Sequence, residues 1–149
     1  MIEIEIIVSD EVSGMLTVES DKVRNYVCAI IESSGFSDAE INIVFIGDEQ
    51  MIELNETYKK RSGTTDVLSF TLSEKGDEKL EGEVYISLEK AQKQCSQFLS
   101  PFEEEVVRLV THGVLHLTGR THDSEEELKD MINETERLVR SFFNSGGTK

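Results

Sequence analysis

The window His112-Gly-Val-Leu-His116-Leu-Thr-Gly119-Arg-Thr-His122 holds all three histidines of the chain, and it constrains the fold more than any other stretch. Residues four apart on a helix share one face, one turn above the other, so His112 and His116 can aim their imidazoles at a common point. Gly119 follows where a glycine with positive φ ends a helix cheaply, and the chain can then double back to bring His122 to the pair. Three neutral imidazoles with a fourth position open to solvent form the ligand set of a catalytic zinc ion, whereas a structural zinc is closed by a fourth protein ligand. Imidazole also suits copper, nickel and iron, so zinc is the expected metal among several that the donors allow.

The spacing H-x-x-x-H-x-x-G-x-x-H is also that of the long metzincin protease motif, with Gly113 where that motif has its glutamate. In those proteases the glutamate takes the proton of the attacking water and later protonates the amine leaving group, and Gly113 can do neither. The metal frame is kept and the protease's base is missing.

The remaining periodicities predict an α+β fold. Ile2, Ile4 and Ile6 alternate with Glu3 and Glu5, the pattern of an outer strand charged on one side, while Ala39 to Ile46 is nearly continuous in apolar residues, as expected of a central strand. Asp66 to Leu72 and Gly82 to Leu88 flank a polar connection and are expected to pair antiparallel. Helices are expected after Ser20 (Val23, Val27, Ile30, Ile31), after Asp48 (Met51, Ile52, Leu54, Tyr58) and after Ser87 (Ala91, Gln94, Cys95, Phe98), each opening residue serving as a cap. Ser100-Pro101-Phe102-Glu103 combines a capping serine, a proline at the first helical position and a capping-box glutamate, and it opens the histidine helix. A last helix starts at Asp123 or Ser124, carries Leu128, Met131, Ile132, Leu138, Val139 and Phe142, and gives way to a frayed tail at Gly146-Gly147. The sum is a four-stranded mixed sheet packed with about five helices, a zincin-like metallohydrolase arrangement in one domain spanning residues 1–149.

Composition narrows the setting. Cys28 and Cys95 are unpatterned, which fits buried thiols in a reducing cytoplasm, and no apolar run approaches the length of a membrane span. The net charge of −15 opposes polyanions at long range. Lys59-Lys60-Arg61 is the compact basic run; Arg108 sits one turn before His112 and is expected to pair with neighbouring glutamates.

Three segments together resemble the YbeY family, bacterial metal-dependent endoribonucleases of ribosomal RNA maturation. They are the histidine window, Leu54-Asn55-x-x-Tyr58 followed by Thr65-Asp66-Val67-Leu68-Ser69-Phe70, and Gly82-Glu-Val-Tyr-Ile-Ser87. The resemblance implies a zinc-dependent hydrolase of single-stranded RNA that acts in late ribosomal RNA processing, at the 3′ end of 16S RNA, and in ribosome quality control. It also implies a cytoplasmic location, the ribosomal subunit or its proteins as partners, and neither membrane nor DNA. Zinc would be held by His112, His116 and His122, with His112 part of the catalytic group. The family's arginine after the tyrosine is Lys59 here, so Lys59 or Arg61 is the implied cation at the scissile phosphate. The family's proline before the Thr-Asp pair is Thr64, and its Tyr-Asp pair before the last histidine is Arg120-Thr121. Two other readings are carried forward: a different zinc hydrolase such as a peptidase, and a non-catalytic ribosome-associated module whose metal is closed by Cys28 or Cys95.

Overall fold

The computed structural model describes residues 1–59, 65–74, 76–97, 99–120 and 123–147, the side chains of 59 and 145–147 excepted. Four strands, β1 (Ile2–Val8), β2 (Asp38–Ile46), β3 (Val67–Thr71) and β4 (Lys79–Ser87), form one sheet in the order β1-β2-β4-β3. β1 and β4 run parallel to β2, and β3 runs antiparallel to β4. The alternating strand is therefore at an edge and the apolar one inside, as their patterns predict. β4 begins at Lys79 rather than Gly82, because Lys79, Leu80 and Glu81 pair with Asp38, Ala39 and Glu40 of β2.

The register sorts the side chains of this sheet into two faces. One carries the rows Ile4-Ile41-Gly82-Thr71, Ile6-Ile43-Val84-Ser69 and Val8-Phe45-Ile86-Val67. Against it pack α1 (Ser20–Ser33), through Val23, Val27, Ile30 and Ile31, and α4 (Phe102–Leu117), through Val106, Val110, Val114 and Leu117. On the other face Val44, Ile46, Leu68, Phe70 and Tyr85 meet Met51 and Leu54 of α2 (Asp48–Leu54). α2 runs on into a π-helical turn, Asn55–Lys59. α3 (Leu88–Gln97) and α5 (Glu125–Gly147) flank α4.

α4 is the buried hub: ten of its sixteen residues are buried, the profile of a helix inside a core rather than on a surface. Two glycines let it close on the sheet. A Cβ at Gly113 would stand 2.4 Å from Val84 Cγ1 and 3.2 Å from both Ser69 Oγ and Val67 Cγ2, and one at Gly82 would stand 2.7 Å from Leu117 Cδ2. Ser69 Oγ donates to the Gly113 carbonyl at 3.0 Å, so β3 and α4 are joined at the point of closest approach. On its far side α4 is held by polar groups. The Thr111 hydroxyl donates to the Val107 carbonyl at 2.7 Å and the Tyr26 hydroxyl bonds to Thr111 at 2.6 Å, and burial pushes the Tyr26 phenol up to about 12. Arg108 donates to Glu136 of α5 at 2.7 and 2.9 Å, to Glu105 at 2.9 Å and to Glu104 at 2.8 Å. These bonds raise its pKa further and hold the Glu136 carboxyl below the usual carboxylate range.

The caps depart from the sequence pattern in part. Ser87 does cap α3, its Oγ accepting from the Lys90 N–H at 3.1 Å, and Ser124 caps α5 by accepting from the Glu127 N–H at 3.1 Å. Ser20 and Asp48, by contrast, are the first helical residues, with Glu19 and Gly47 in the cap positions. Asp48 is drawn sideways to the start of α3, where its carboxylate accepts from Ser87 Oγ at 2.7 Å and Lys93 Nζ at 3.0 Å. Pro101 occupies the cap position of α4, so the serine, proline and glutamate signals all fall one place early. α5 continues through Gly147 rather than fraying at Gly146, and Phe98 lies outside the described residues.

Three outcomes follow for stability. Gly113→Ala should cost about 1–3 kcal/mol in urea unfolding, since Val84 is stiff at χ1 and cannot turn aside; an unchanged midpoint would mean the helix can slide. Arg108→Met keeps the bulk but strands Glu105, whose side chain is 10 % exposed and whose carboxyl burial already pushes up, and a loss of about 2–3 kcal/mol is expected by the same measurement. For Asp48, burial works against ionisation but the Ser87 hydroxyl and Lys93 ammonium prevail and lower its pKa. A lowered folded-state pKa gives stability that is present above about pH 4 and is lost as pH falls through the folded value. Asp48→Asn should therefore lower Tm at pH 7 by a few degrees and leave it nearly unchanged near pH 2; equal losses at both would assign Asp48 a purely steric role.

Candidate metal centre and its cleft

His112 and His116 stand one turn apart on α4, half-buried, beside the glycine that contacts the sheet. Successive helical residues are about 100° apart, so when Gly113 faces Val84 and Ser69 the two histidines are turned to one side of that contact. Their Nε2 atoms are 3.1 Å apart, with ring centroids 4.6 Å apart and the planes inclined at 74°. Two nitrogens bound at about 2.0–2.1 Å to one tetrahedral zinc are separated by roughly 3.3 Å, so the pair has the spacing of two ligands to a single ion. Edge-inclined rings with converging nitrogens fit that donor set better than a stacked pair would.

The turn after the helix has the form that the sequence predicts. Gly119 has φ +103°, its N–H donates to the His116 carbonyl at 3.0 Å, and the Arg120 N–H donates to the Leu115 carbonyl at 3.1 Å. Those two bonds make a Schellman ending; at the start of α5 the Ser124 hydroxyl accepts from the Glu127 N–H and the Glu127 carboxylate accepts from the Asp123 N–H, each at 3.1 Å. His122 lies outside the described residues, as do Arg61 and the side chain of Lys59. Among the described residues no third histidine, cysteine, aspartate or glutamate joins His112 and His116.

Cys28, a half-buried thiol on α1, borders a shallow surface depression with Met1, Ile2 and Glu32, and burial with the Glu32 carboxylate pushes its pKa up. Cys95 is buried on α3 and donates to the Gln92 carbonyl at 3.1 Å. Arg108 is committed to Glu104, Glu105 and Glu136, in agreement with the pairing expected from sequence.

Beside His116 opens a cleft of about 680 Å³. Its floor is apolar (Phe36, Leu80, Leu117), and its rim is polar, from Thr71 and Ser73 to Glu74, Asp77 and Thr118. Sequence reasoning missed these residues. Leu117 and Thr118 lie in the histidine window without being ligands there and the others belong to no ligand-like motif; they meet because the sheet order sets β3 beside β4, next to the end of α4. Ser69 was also missed as a functional position; its bond to Gly113 holds the segment between the histidines. Gly113 takes on a second meaning. It marks the absence of a protease-like base, and the packing explains that absence, since any side chain there would enter Val84 rather than the cleft.

Tyr58 is 63 % exposed and packs edge-on against Phe70 at 5.7 Å. Tyr85 is half-buried and its hydroxyl donates to Glu83 at 3.1 Å. Both lie on the sheet face opposite α4, with Leu54 and Leu72.

Comparison with known proteins supplies the remaining constraint. The family described as Endoribonuclease YbeY matches residues 9–143. The chain is 35 % identical over 125 residues to the Endoribonuclease YbeY of Aquifex aeolicus, covering 83 % of each protein. It is 40 % identical over 121 residues to that of Flavobacterium psychrophilum, covering 80 % of this chain and 85 % of the relative. The solution structure of TM1509 from Thermotoga maritima shares the fold, with a TM-score of 0.69 at 24 % identity over 95 % of this chain and 90 % of that one. Relatives bearing the family name are endoribonucleases, hydrolases of RNA phosphodiester bonds. A match over nearly the whole chain, in a chain whose α4 sets the Nε2 atoms of His112 and His116 3.1 Å apart, leads to one conclusion: the chain belongs to the endoribonuclease YbeY family.

Proposed function

We propose that this protein is a zinc-dependent, single-strand-specific endoribonuclease of late ribosomal RNA processing, acting at the 3′ end of 16S RNA and in ribosome quality control. The observation that carries the reading is the His112–His116 pair, Nε2 to Nε2 3.1 Å, at the mouth of a cleft in a chain of an endoribonuclease family. His112, His116 and His122 would hold the ion. When bound, zinc lowers the pKa of a coordinated water to about 7 and polarises the phosphoryl oxygens.

The chain's own residues supply orientation. The Gly113–Val84 contact and the Ser69 bond fix the rotation of α4, so the imidazoles meet a substrate approaching past β3. Gly119 reverses the chain so that the following turn can return to the pair. Lys59 and Arg61 are assigned the cation that faces charge developing on the phosphate, a role that requires no general base at position 113. A peptide leaving group needs the proton that a glutamate at 113 would deliver, which disfavours the peptidase reading. Ribosomal RNA and a ribosomal partner are the proposed setting, in the cytoplasm; among the described residues no helix is long and apolar enough to cross a membrane.

The test uses protein purified without a histidine tag, stripped and reloaded with zinc, on end-labelled single-stranded and duplex RNA. Zinc should restore cleavage of the single strand only, His116→Ala should lower it by about a hundredfold or more, and Lys59→Ala should lower turnover without changing Tm. Zinc should also raise the Tm of the native chain and not that of His116→Ala. Equal cleavage by His116→Ala would overturn the reading. Tight zinc binding with no cleavage of any RNA would favour the non-catalytic module.

A further inference from the structure

The strand that runs beside the histidines has one open edge. In an antiparallel pair the residues alternate between those that exchange both backbone bonds with the partner strand and those that turn both groups away from it. The Leu72 N–H donates to the Glu81 carbonyl at 2.8 Å and the Ser87 N–H to the Asp66 carbonyl at 3.0 Å. Those two bonds fix the alternation: Leu68 and Phe70 face Tyr85 and Glu83 as bonded pairs, and Val67, Ser69 and Thr71 turn their N–H and C=O groups out of the sheet. β3 ends the strand order, and among the described residues no hydrogen bond reaches these six outward groups. The edge also lies next to the histidine pair. Ser69 Oγ is bonded to the Gly113 carbonyl, one residue from His112, and Thr71, which is exposed, lines the same cleft as His116.

We propose that the open edge of β3 holds the RNA backbone: the N–H groups of Ser69 and Thr71 donate to phosphate oxygens, and the carbonyls of Val67 and Ser69 accept from ribose 2′-hydroxyls. The proposal rests on the RNA-cleaving reading above and adds how the strand is held. Outward groups recur at every second residue, about 6.8 Å along an extended strand, a repeat close to that of one nucleotide in a stretched single strand. A strand edge offers donors and acceptors in turn, and an RNA backbone offers phosphate acceptors and hydroxyl donors in turn, whereas DNA lacks the hydroxyl. Backbone N–H groups also suit a chain of net charge −15. They bond to phosphate without a positive charge that neighbouring carboxylates can neutralise, as Glu104, Glu105 and Glu136 neutralise Arg108. A duplex curves away from a straight edge after one or two contacts, which ties this edge to single strands. A peptide strand is the competing occupant of any bare edge. It is disfavoured because β3 is five residues long and borders a histidine pair in a chain of an endoribonuclease family.

Two measurements test it. In the first, amide hydrogen exchange of the zinc-loaded protein is followed with and without an excess of single-stranded RNA, incubated with the protein beforehand until cleavage no longer changes it. RNA should slow the Ser69 and Thr71 amides by about tenfold or more relative to those of Leu68 and Phe70, which β4 already holds. Single-stranded DNA of the same sequence should slow them less. In the second, Thr71→Pro deletes one outward N–H, a change that an edge strand tolerates. It should raise KM for single-stranded RNA about tenfold, the value of one hydrogen bond to a charged oxygen, with kcat within about twofold. An ester in place of the Thr71 amide removes the same N–H, keeps the side chain and should raise KM equally, which covers the case in which proline disturbs the strand. Slow exchange at Ser69 and Thr71 before RNA is added would mean that a peptide strand or a second copy covers the edge. That result, slowing without the alternation, an equal effect of DNA, or an unchanged KM in the ester protein would overturn the inference and leave the proposed activity standing. Failure to cut any RNA would instead remove the proposed activity, and the exchange pattern would still decide whether the edge holds RNA.

Discussion

The structure depends on how closely α4 approaches the sheet. At Gly113 and Gly82 the helix lies where neither position tolerates a β-carbon, and the gap is filled by Val84, Leu117 and the Ser69 bond to the helix backbone. The helix cannot rotate about its axis without driving a side chain into β4. Two consequences follow. The histidines on either side of Gly113 are kept level with the edge strand β3 instead of being turned into the core, and the end of the helix reaches the 72–78 connection, where Leu117 and Thr118 complete the cleft. A larger residue at 113 would disturb both.

Packing alone fixes distance better than it fixes angle, and the polar groups behind α4 supply the second restraint. Tyr26 reaches from α1 to Thr111, and Arg108 joins α4 to α5 through a two-point contact with Glu136. Their value lies in geometry more than in net stabilisation, since burying a phenol or an ion pair costs solvation that the bonds mainly repay. With α1 and α5 gripping one side and the sheet the other, His112 and His116 keep an Nε2 separation of 3.1 Å. That is the preorganisation that a ligand pair needs before any ion arrives.

What could be read in advance follows from the range over which each signal acts. The His112–His116 pair on one helix face, the Schellman glycine, the charged edge strand and the antiparallel β3–β4 pair are local patterns, and each is present where the sequence places it, while His122 lies outside the described residues. The caps at Ser20, Asp48 and Ser100 slipped by a residue. A hydroxyl or carboxylate near a helix start has several partners to choose from, and for Asp48 the winning partners were Ser87 and Lys93 from another helix. The cleft was not legible at all. Phe36 follows α1, Leu80 opens β4 and Thr118 closes α4, and only the strand order, which no local pattern dictates, brings them together. Gly113 was legible as a missing base and not as a packing contact, because the same letter serves both and only the neighbour at 2.4 Å tells them apart.

The charge of the chain then restricts how a site of this kind can work. With a net charge of −15 and acceptors on the cleft rim, the described walls give no charge attraction to a polyanion, and Arg108 on the same helix is neutralised three times over. A net charge of this sign opposes the long-range steering that carries much of the affinity of basic nucleic-acid binders. The proposed zinc would concentrate positive charge at a point and use it at contact distance, where a dipositive ion outweighs several surface lysines. Imidazole donors would suit that proposal, because neutral imidazoles add no negative charge and would leave the ion's full field for the phosphate. Carboxylate ligands in so acidic a chain would have cancelled it.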